Sequence, residues 1–261
     1  MDALTKLLQP ESYPLFLDIL DKEINVKPYS HGDTKAFLEL IDDHRKKKKG
    51  GMKKLFYAQK NLIDACILPG TTGEKPVKAH DLHRADYVKL LVYLKNITHG
   101  ENTKVNFRCS NERCEDDTKQ RFIQTLVFGL DDCTLHNKER NPVVQYTMED
   151  GTTVLFNMKP YTFGLLIDNA ELFETEIPSI ELVSRYQASF VDSIEVNGDP
   201  MGDIPFTKKT EIMTAMLPKY KKHLAEYIEK EPMWTWENTW ECPVCGATNR
   251  SVLDGISDFF V

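Results

Sequence analysis

Three stretches in the first hundred residues carry apolar side chains at the three-to-four-residue spacing of an amphipathic helix. Asp33 to Lys48 has such a stripe and ends in a basic run followed by two glycines, which favour a helix C-terminus. Met52 to Leu68 is the second stretch and stops at Pro69-Gly70, and Asp81 to Ile97 is the third. The pattern therefore predicts a helical region near the N-terminus.

Alternating apolar and polar residues predict strands in other parts of the chain. Tyr13 to Leu20 and Ile24 to Tyr29 flank a short polar segment and predict a β-hairpin. A second hairpin is predicted from Val143 to Met158, because an Asp-Gly pair lies between two alternating runs. Thr103 to Cys109 and Phe122 to Leu130 predict two further strands.

The C-terminal half returns to helical spacing before it ends in extended segments. Tyr161 to Phe173 and Ile180 to Phe190 predict two helices. Lys208 to Glu229 predicts a longer helix with an apolar residue at every fourth position, and Pro218 must kink it or divide it into two. Trp234 to Glu241 predicts a strand close to the end of the chain.

Composition limits the class of protein. The chain has 261 residues, of which 41% are hydrophobic and 28% charged, as is typical of a globular protein with a real core. The net charge of −7 argues against a general nucleic-acid binder, which needs a basic face. The sequence has no apolar run of about 18 residues and no basic-then-apolar signal pattern at its N-terminus. We therefore expect a soluble protein that is made in a cytoplasm and contacts no membrane.

Two cysteine pairs are the most distinctive chemical feature of the chain. Cys242 and Cys245 lie in Cys-Pro-Val-Cys-Gly, and Cys109 and Cys114 lie in Cys-Ser-Asn-Glu-Arg-Cys. Each pair can supply two thiolates to one metal ion, and Zn²⁺ takes four ligands in a tetrahedron. The pairs predict a structural four-cysteine zinc site that joins the middle of the chain to its C-terminus. They are separated by about 130 residues, far more than in an ordinary zinc ribbon.

The cysteines have other interpretations, namely four unrelated buried thiols or two disulfides. Disulfides are disfavoured in a reducing cytoplasm, which leaves the zinc site and the unrelated thiols. Cys66 and Cys133 lie in apolar settings without a partner at ligand spacing, so we expect them to be packed core residues. Three tryptophans and two terminal phenylalanines around the proposed site indicate a hydrophobic shell or, alternatively, a partner-binding patch.

No persuasive catalytic motif is found in the sequence. It lacks the nucleophile elbow of α/β-hydrolases, the phosphate-binding loop and the paired-histidine zinc motif of metalloproteases. His80 and His83 are candidates for metal or acid–base chemistry, but their place before a helix predicts a solvated helix cap. Four thiolates would also close a zinc site to substrate and water. We therefore expect a protein that is not an enzyme.

The order of these features resembles the T4-like phage baseplate hub subunit family. The resemblance rests on Ile24 to Ser30 (INVKPYS), on Asp81 to Glu101 (DLHRADYVKLLVYLKNITHGE) and on the closing ECPVCG and GISDFF segments. It runs through most of the chain, and the four cysteines above match the family's cysteine pairs by position. A zinc knuckle is a short turn that carries two metal-binding cysteines, usually with two residues between them. The first pair is spaced more widely, because four residues separate its cysteines.

The resemblance implies a non-enzymatic structural protein of a contractile phage tail. Such a protein would lie in the virion, in or near the baseplate hub around the central spike and the start of the tube. Its implied partners are other hub, spike and wedge proteins of the baseplate, with several copies in a symmetric assembly and no nucleic acid. Two other functions stay open: a zinc-ribbon adaptor in transcription or nucleic-acid handling, and an assembly factor absent from the finished particle.

Together these observations predict an α+β fold in which helices and β-hairpins accompany a discontinuous zinc-ribbon lobe. The predicted lobe comprises residues 102–117 and 234–261, with 118–233 inserted between its two halves. Residues 1–101 would form an N-terminal region of one hairpin and several helices. A single compact domain is the alternative division of the chain.

Overall fold

The computed structural model describes residues 11–30, 32, 35, 51–70, 75–100, 102–115, 120–174 and 178–253. Within these ranges the chain forms six α-helices and eleven β-strands. The helices are α1 (Gly51–Cys66), α2 (Arg84–His99), α3 (Phe163–Asp168), α4 (Ile180–Ser189), α5 (Phe206–Ala215) and α6 (Pro218–Glu229). The strands are β1 (Tyr13–Leu17), β2 (Lys22–Val26), β3 (Thr103–Arg108), β4 (Ile123–Phe128), β5 (Thr134–His136), β6 (Val143–Thr147), β7 (Thr153–Met158), β8 (Val191–Val196), β9 (Asp199–Pro200), β10 (Met233–Glu241) and β11 (Thr248–Leu253).

The strands are distributed over four small sheets, and neighbouring strands in each are antiparallel. Two are the hairpins β1–β2 and β3–β4, the third has the order β6-β7-β8-β9, and the fourth has the order β11-β10-β5. Helices and antiparallel sheets in one chain confirm the predicted α+β class. Within the described ranges, no helix is both long and apolar enough to cross a lipid bilayer.

The N-terminal hairpin is confirmed, although its strands are shorter than predicted. Tyr13 pairs with Val26 and Leu17 with Lys22, so the turn spans residues 18–21 and ends at Asp21, whose φ is 51°. Alternate side chains on both strands are buried, as expected for a sheet with one face on a core. The fully buried Asp86 carboxylate of α2 holds this turn, because it accepts hydrogen bonds from two consecutive backbone amides of the turn.

Helices α1 and α2 lie where the apolar stripes predict them, but α2 does not begin at Asp81 as predicted. A 3₁₀ turn occupies Ala79–Asp81, and α2 then starts at Arg84 with His83 as its N-cap. Its last turn ends at Gly100, whose φ of 65° is the left-handed conformation that glycine tolerates best. The helix predicted from Asp33 to Lys48 and the closing segment 255–261 lie outside the described residues, apart from Lys35.

The second predicted hairpin, β6–β7, is confirmed, and the segment that follows it departs from the prediction. Instead of one helix from Tyr161 to Phe173, α3 covers six residues and is followed by a 3₁₀ turn at Ala170–Glu174. Asn169 ends α3, since its side-chain amide donates to the carbonyl of Leu165 and to the hydroxyl of Ser189. Sequence spacing alone could not show that this asparagine would turn back onto its own helix.

The predicted long C-terminal helix is divided into two helices at Pro218, which is one of the two outcomes that the sequence predicted. Met216 and Leu217 have extended backbone between α5 and α6, and Pro218 occupies the first position of α6. The four-residue apolar repeat therefore does not form one continuous side. Tyr220 of α6 instead stacks on Tyr146 of β6, with ring centroids 4.4 Å apart.

One continuous set of buried side chains connects the helices, the β6–β9 sheet and the N-terminal hairpin. At its centre Tyr87 stacks on Phe163 with ring centroids 3.7 Å apart, and the Tyr87 hydroxyl donates to Gln59. Trp236 of β10 belongs to the same core and stacks on Phe128 at 4.8 Å. Strand β10 therefore runs from this core to the cysteines at its far end.

Candidate metal centre

The first cysteine pair lies in the connection between β3 and β4. The amide of Cys109 donates to the carbonyl of Phe122 at 2.9 Å, which extends the ladder of the two strands by one step. A tight turn then brings the chain back, because the amide of Cys114 donates to the carbonyl of Asn111 at 3.0 Å. Both cysteines are buried, with exposed fractions of 0% and 2%. The wide four-residue spacing thus still forms a compact knuckle.

The second pair lies in the turn between β10 and β11. The amide of Cys242 donates to the carbonyl of Ala247 at 2.9 Å, and the amide of Gly246 donates to the carbonyl of Cys242 at 2.8 Å. Gly246 has a φ of 68°, which a residue with a Cβ rarely adopts, so the turn requires this glycine. Cys242 is buried and Cys245 is exposed.

The two knuckles meet, and the four sulfur atoms form one cluster. The Sγ atoms of Cys109 and Cys245 are 3.7 Å apart, and those of Cys114 and Cys242 are 3.6 Å apart. All four sulfurs lie within 4.8 Å of one another. A tetrahedral zinc ion with Zn–S bonds of about 2.3 Å separates its sulfurs by about 3.8 Å. The donor set and its spacing therefore fit a four-thiolate zinc site.

The same distances disagree with disulfides, because an S–S bond is about 2.05 Å long. All six cysteines of the chain are free thiols. Cys66 is buried in the core as predicted, whereas Cys133 is only partly buried and its thiol faces the carbonyl of Gly129 at 3.5 Å.

The electrostatics of the cluster differ from one sulfur to the next. Burial raises the pKa of the Cys109 thiol and raises that of Cys114 to about 12. The backbone amide of Ala247 hydrogen-bonds to the sulfur of Cys245 and lowers its pKa to about 7. Metal ligation requires thiolates, and a bound cation deprotonates thiols that would otherwise stay neutral. The Cys109 and Cys114 thiols, whose pKa values are raised, thus stay neutral to higher pH than the Cys245 thiol, whose pKa is lowered.

Asn249 connects the two knuckles by hydrogen bonds. Its side-chain oxygen accepts hydrogen bonds from the backbone amide of Ser110 at 2.6 Å and from the Ser110 hydroxyl at 2.8 Å. Its side-chain amide donates to the carbonyl of Ala247 at 2.8 Å. Sequence reasoning missed this residue, although an amide side chain three residues past Gly246, in a strand that favours other residue types, was a usable signal.

Partly buried apolar side chains pack against the cluster. Phe122, Trp240 and Ala247 pack against the buried cysteines, and the Trp240 indole donates to the hydroxyl of Ser251 at 2.8 Å. Of the other tryptophans, Trp236 lies in the main core and Trp234 lies under the ammonium group of Lys89. The predicted hydrophobic shell therefore includes one tryptophan, and the terminal phenylalanines lie outside the described residues.

The histidines that were candidates for chemistry lie elsewhere. His83 caps α2, since its Nδ1 accepts from the amide of Ala85, but it is buried rather than solvated as predicted. Its Nε2 is 2.9 Å from the carboxylate of Glu231, which also pairs with Arg140. His80 packs its ring against Gly164, where an added Cβ would lie 2.4 Å from the ring. In the described part of the chain, only the four clustered cysteines group as metal donors.

Comparison with protein families gives a match over most of the chain. The family model described as T4 bacteriophage base plate protein matches residues 11–261. No curated protein and no solved structure matches the chain.

Proposed function

Since the chain belongs to the T4 bacteriophage base plate protein family, we propose that it is a structural or assembly part of the baseplate hub, held together by one structural zinc ion. The family match covers nearly the whole chain and carries the baseplate assignment. The hub region around the central spike is the finer proposal, and other hub, spike and wedge proteins are its proposed neighbours. The cluster of four sulfurs carries the zinc proposal.

The proposed ligands are Cys109, Cys114, Cys242 and Cys245. A zinc ion bound there would supply a cross-link between the β3–β4 hairpin and the β10–β11 hairpin, which are distant in sequence. Structural zinc sites have apparent binding free energies of about 10–16 kcal/mol in small peptides, as large as the whole stability of many domains. Such a link forms in a reducing cytoplasm, where a disulfide would not persist.

A cross-link of this kind suits a part of a contractile tail. Strand β10 runs from the core at Trp236 to the cysteine turn, so a closed metal site would fix the far end of the strand. A baseplate component must keep its shape while its neighbours move. We therefore propose that the cysteine cluster keeps this part of the protein rigid. A zinc site with four thiolate ligands has no free position for a substrate.

The continuous core supports the single-domain division of the chain over the two-part division. Buried side chains from residues 11–100 and from β10 belong to the same apolar cluster. Strand β10 also pairs with β5, which lies inside the segment that was predicted as an insertion. We propose that the zinc-ribbon lobe is an extension of one domain.

Two measurements test the proposed function separately. Elemental analysis of purified protein should find about one zinc ion per chain, and a value near zero would end the zinc proposal. Mass spectrometry of purified virions and tail substructures should find the chain in the baseplate, in the fraction that contains the hub. A chain present in assembling tails but absent from finished virions would instead identify an assembly factor.

The nucleic-acid adaptor is the weaker candidate. A zinc ribbon is common in such proteins, but the family match and the net charge of −7 favour the baseplate. Salt-dependent binding to DNA or RNA at low ionic strength would revive that candidate.

A further inference from the structure

The β3–β4 hairpin forms a two-stranded sheet, and its ladder shows which backbone groups point away from it. The amide of Cys109 donates to the carbonyl of Phe122, so these two residues form a hydrogen-bonded pair. Hydrogen-bonded and non-hydrogen-bonded pairs alternate along an antiparallel ladder. Every second residue of β4, namely Ile123, Thr125 and Val127, therefore directs its N–H and C=O groups away from β3.

These outward backbone groups of β4 have few partners. The carbonyl of Thr125 accepts a hydrogen bond from the side chain of Gln124 at 3.2 Å. The other outward groups of the three residues form no hydrogen bond with the residues that the structure describes. Exposed backbone groups of a strand are a template on which another strand can pair.

The exposed side chains differ between the two strands of the hairpin. On β4 they are β-branched and uncharged, and Ile123 and Val127 are 47% and 52% exposed. On β3 the exposed residues are Lys104, Asn106 and Arg108. Charged side chains, lysine above all, commonly protect a sheet edge from further pairing. Of these two strands, only β4 lacks that protection.

Charge indicates which kind of strand would pair with β4. The two strands carry Lys104 and Arg108 and no acidic residue, although the whole chain has a net charge of −7. Both cations lie on the exposed face of the hairpin, and Arg108 forms no ion pair with the described residues. A strand beside β4 would lie about 10 Å from β3, and a long arginine side chain spans much of that distance. Acidic residues on that strand would be attracted, whereas the β4 strand of a second copy brings none.

We propose that the edge of β4 binds an extended, acidic segment of a partner protein by strand addition. The segment becomes the third strand of the sheet through backbone hydrogen bonds, and its alternate side chains pack beside Ile123 and Val127. A two-stranded sheet is marginal by itself, so a third strand also stabilises the hairpin. The inference rests on the geometry of the hairpin and does not depend on the baseplate assignment.

A short blocked peptide of alternating valine and glutamate is the probe for this edge. Fluorescence anisotropy with the full chain should show binding that weakens as the salt concentration rises. An analogue with lysine in place of glutamate should bind at least about tenfold more weakly, because it brings like charges together. Amide hydrogen exchange at Ile123, Thr125 and Val127 should slow when the valine–glutamate peptide is bound.

A pair of proline variants tests whether the backbone of β4 makes the contact. Thr125→Pro removes an outward amide and no ladder bond, and proline is tolerated where the N–H of an edge strand faces solvent. It should raise the dissociation constant of the peptide by about tenfold or more, since a hydrogen bond is lost and the ring hinders pairing. Asn106→Pro is the matched control, because it makes the same change on β3 and removes the same Thr125–Asn106 hydrogen bond. Its affinity for the peptide should equal that of the wild type.

Thermal unfolding curves show whether both proline variants remain folded. Absence of peptide binding, equal binding of the lysine analogue, or an equal loss of affinity in the two folded variants would overturn the proposal. Sedimentation velocity of the wild type adds a further check. A dimer that Thr125→Pro dissociates and Asn106→Pro does not would also overturn it, because a second copy would then occupy the edge.

Discussion

Asn249 accepts two hydrogen bonds from Ser110, one from the backbone amide at 2.6 Å and one from the hydroxyl at 2.8 Å. The two residues belong to different halves of the cysteine cluster, and Asn249 is 3% exposed. This contact orients the first knuckle on the second. Loss of a residue that supports metal ligands in this way commonly lowers metal affinity by about 10–100-fold.

Asn249→Ala should therefore weaken both folding and metal binding. Asn249 is buried, and its hydrogen bonds to Ser110 would be lost, at a cost of about 0.5–1.5 kcal/mol each in the free energy of unfolding. Zinc affinity should fall by about 10–100-fold. Urea unfolding and competition with a chromophoric chelator measure the two effects. Asn106→Ala is the control, because Asn106 is exposed and its side chain accepts a hydrogen bond from the exposed Thr125 hydroxyl across the β3–β4 hairpin.

Cys242→Ser should abolish stable zinc binding. Serine is a poor zinc ligand, and the remaining three sulfurs would leave the ion open to water. We expect the zinc content to fall from about one ion per chain to near zero, together with a lower melting temperature. Cys133→Ser should retain the metal, since this thiol lies outside the cluster. Equal zinc content in both variants would contradict the ligand assignment.

The cysteines of chelator-stripped protein should react with iodoacetamide in a defined order. The pKa of Cys245 is lowered to about 7, so its thiolate fraction rises as the pH passes through 7. The pKa of Cys114 is raised to about 12, so this thiol should stay unreactive at neutral and mildly alkaline pH. Mass spectrometry of the alkylated peptides measures the order. Added zinc should protect both residues, and early labelling of Cys114 would contradict the described burial.

Glu231→Ala should be strongly destabilising, although Glu231 is not one of the proposed zinc ligands. The Glu231 carboxylate is 3% exposed and contacts both His83 and Arg140. Its removal leaves the Arg140 guanidinium, which is 14% exposed, without its anion, and breaking a buried pair in this way costs about 3–5 kcal/mol. Chemical unfolding measures the change. The exposed neighbour Glu229 provides the control, since Glu229→Ala should alter stability by no more than about 0.5 kcal/mol.

Local patterns in the sequence were sufficient for the hairpins, for helices α1 and α2, and for the break at Pro218. Each of these features depends on residues that are close in sequence. Apolar and polar residues alternate in β1 and β2, a turn with a glycine joins β6 to β7, and Pro218 lacks the backbone N–H that would continue a helix. The cysteine spacing likewise indicated the four residues that cluster, because a knuckle is a local turn.

Other features depend on residues that meet only in the folded chain. Strand β5 pairs with β10 almost a hundred residues away, and its three residues carry no alternation long enough to recognise. The burial of His83 follows from the position of Glu231, which local sequence cannot reveal. The same holds for Asn249, whose role requires Ser110 from the other half of the cluster.

The sequence by itself thus determined which segments are helical or extended and which four cysteines could share a metal, because these properties arise from backbone geometry and nearest neighbours. Only the tertiary structure decided that the two cysteine pairs lie within bonding reach of one ion and that a buried asparagine joins them. Those properties depend on distances between segments that the chain sequence separates, and side-chain packing across the whole core sets them.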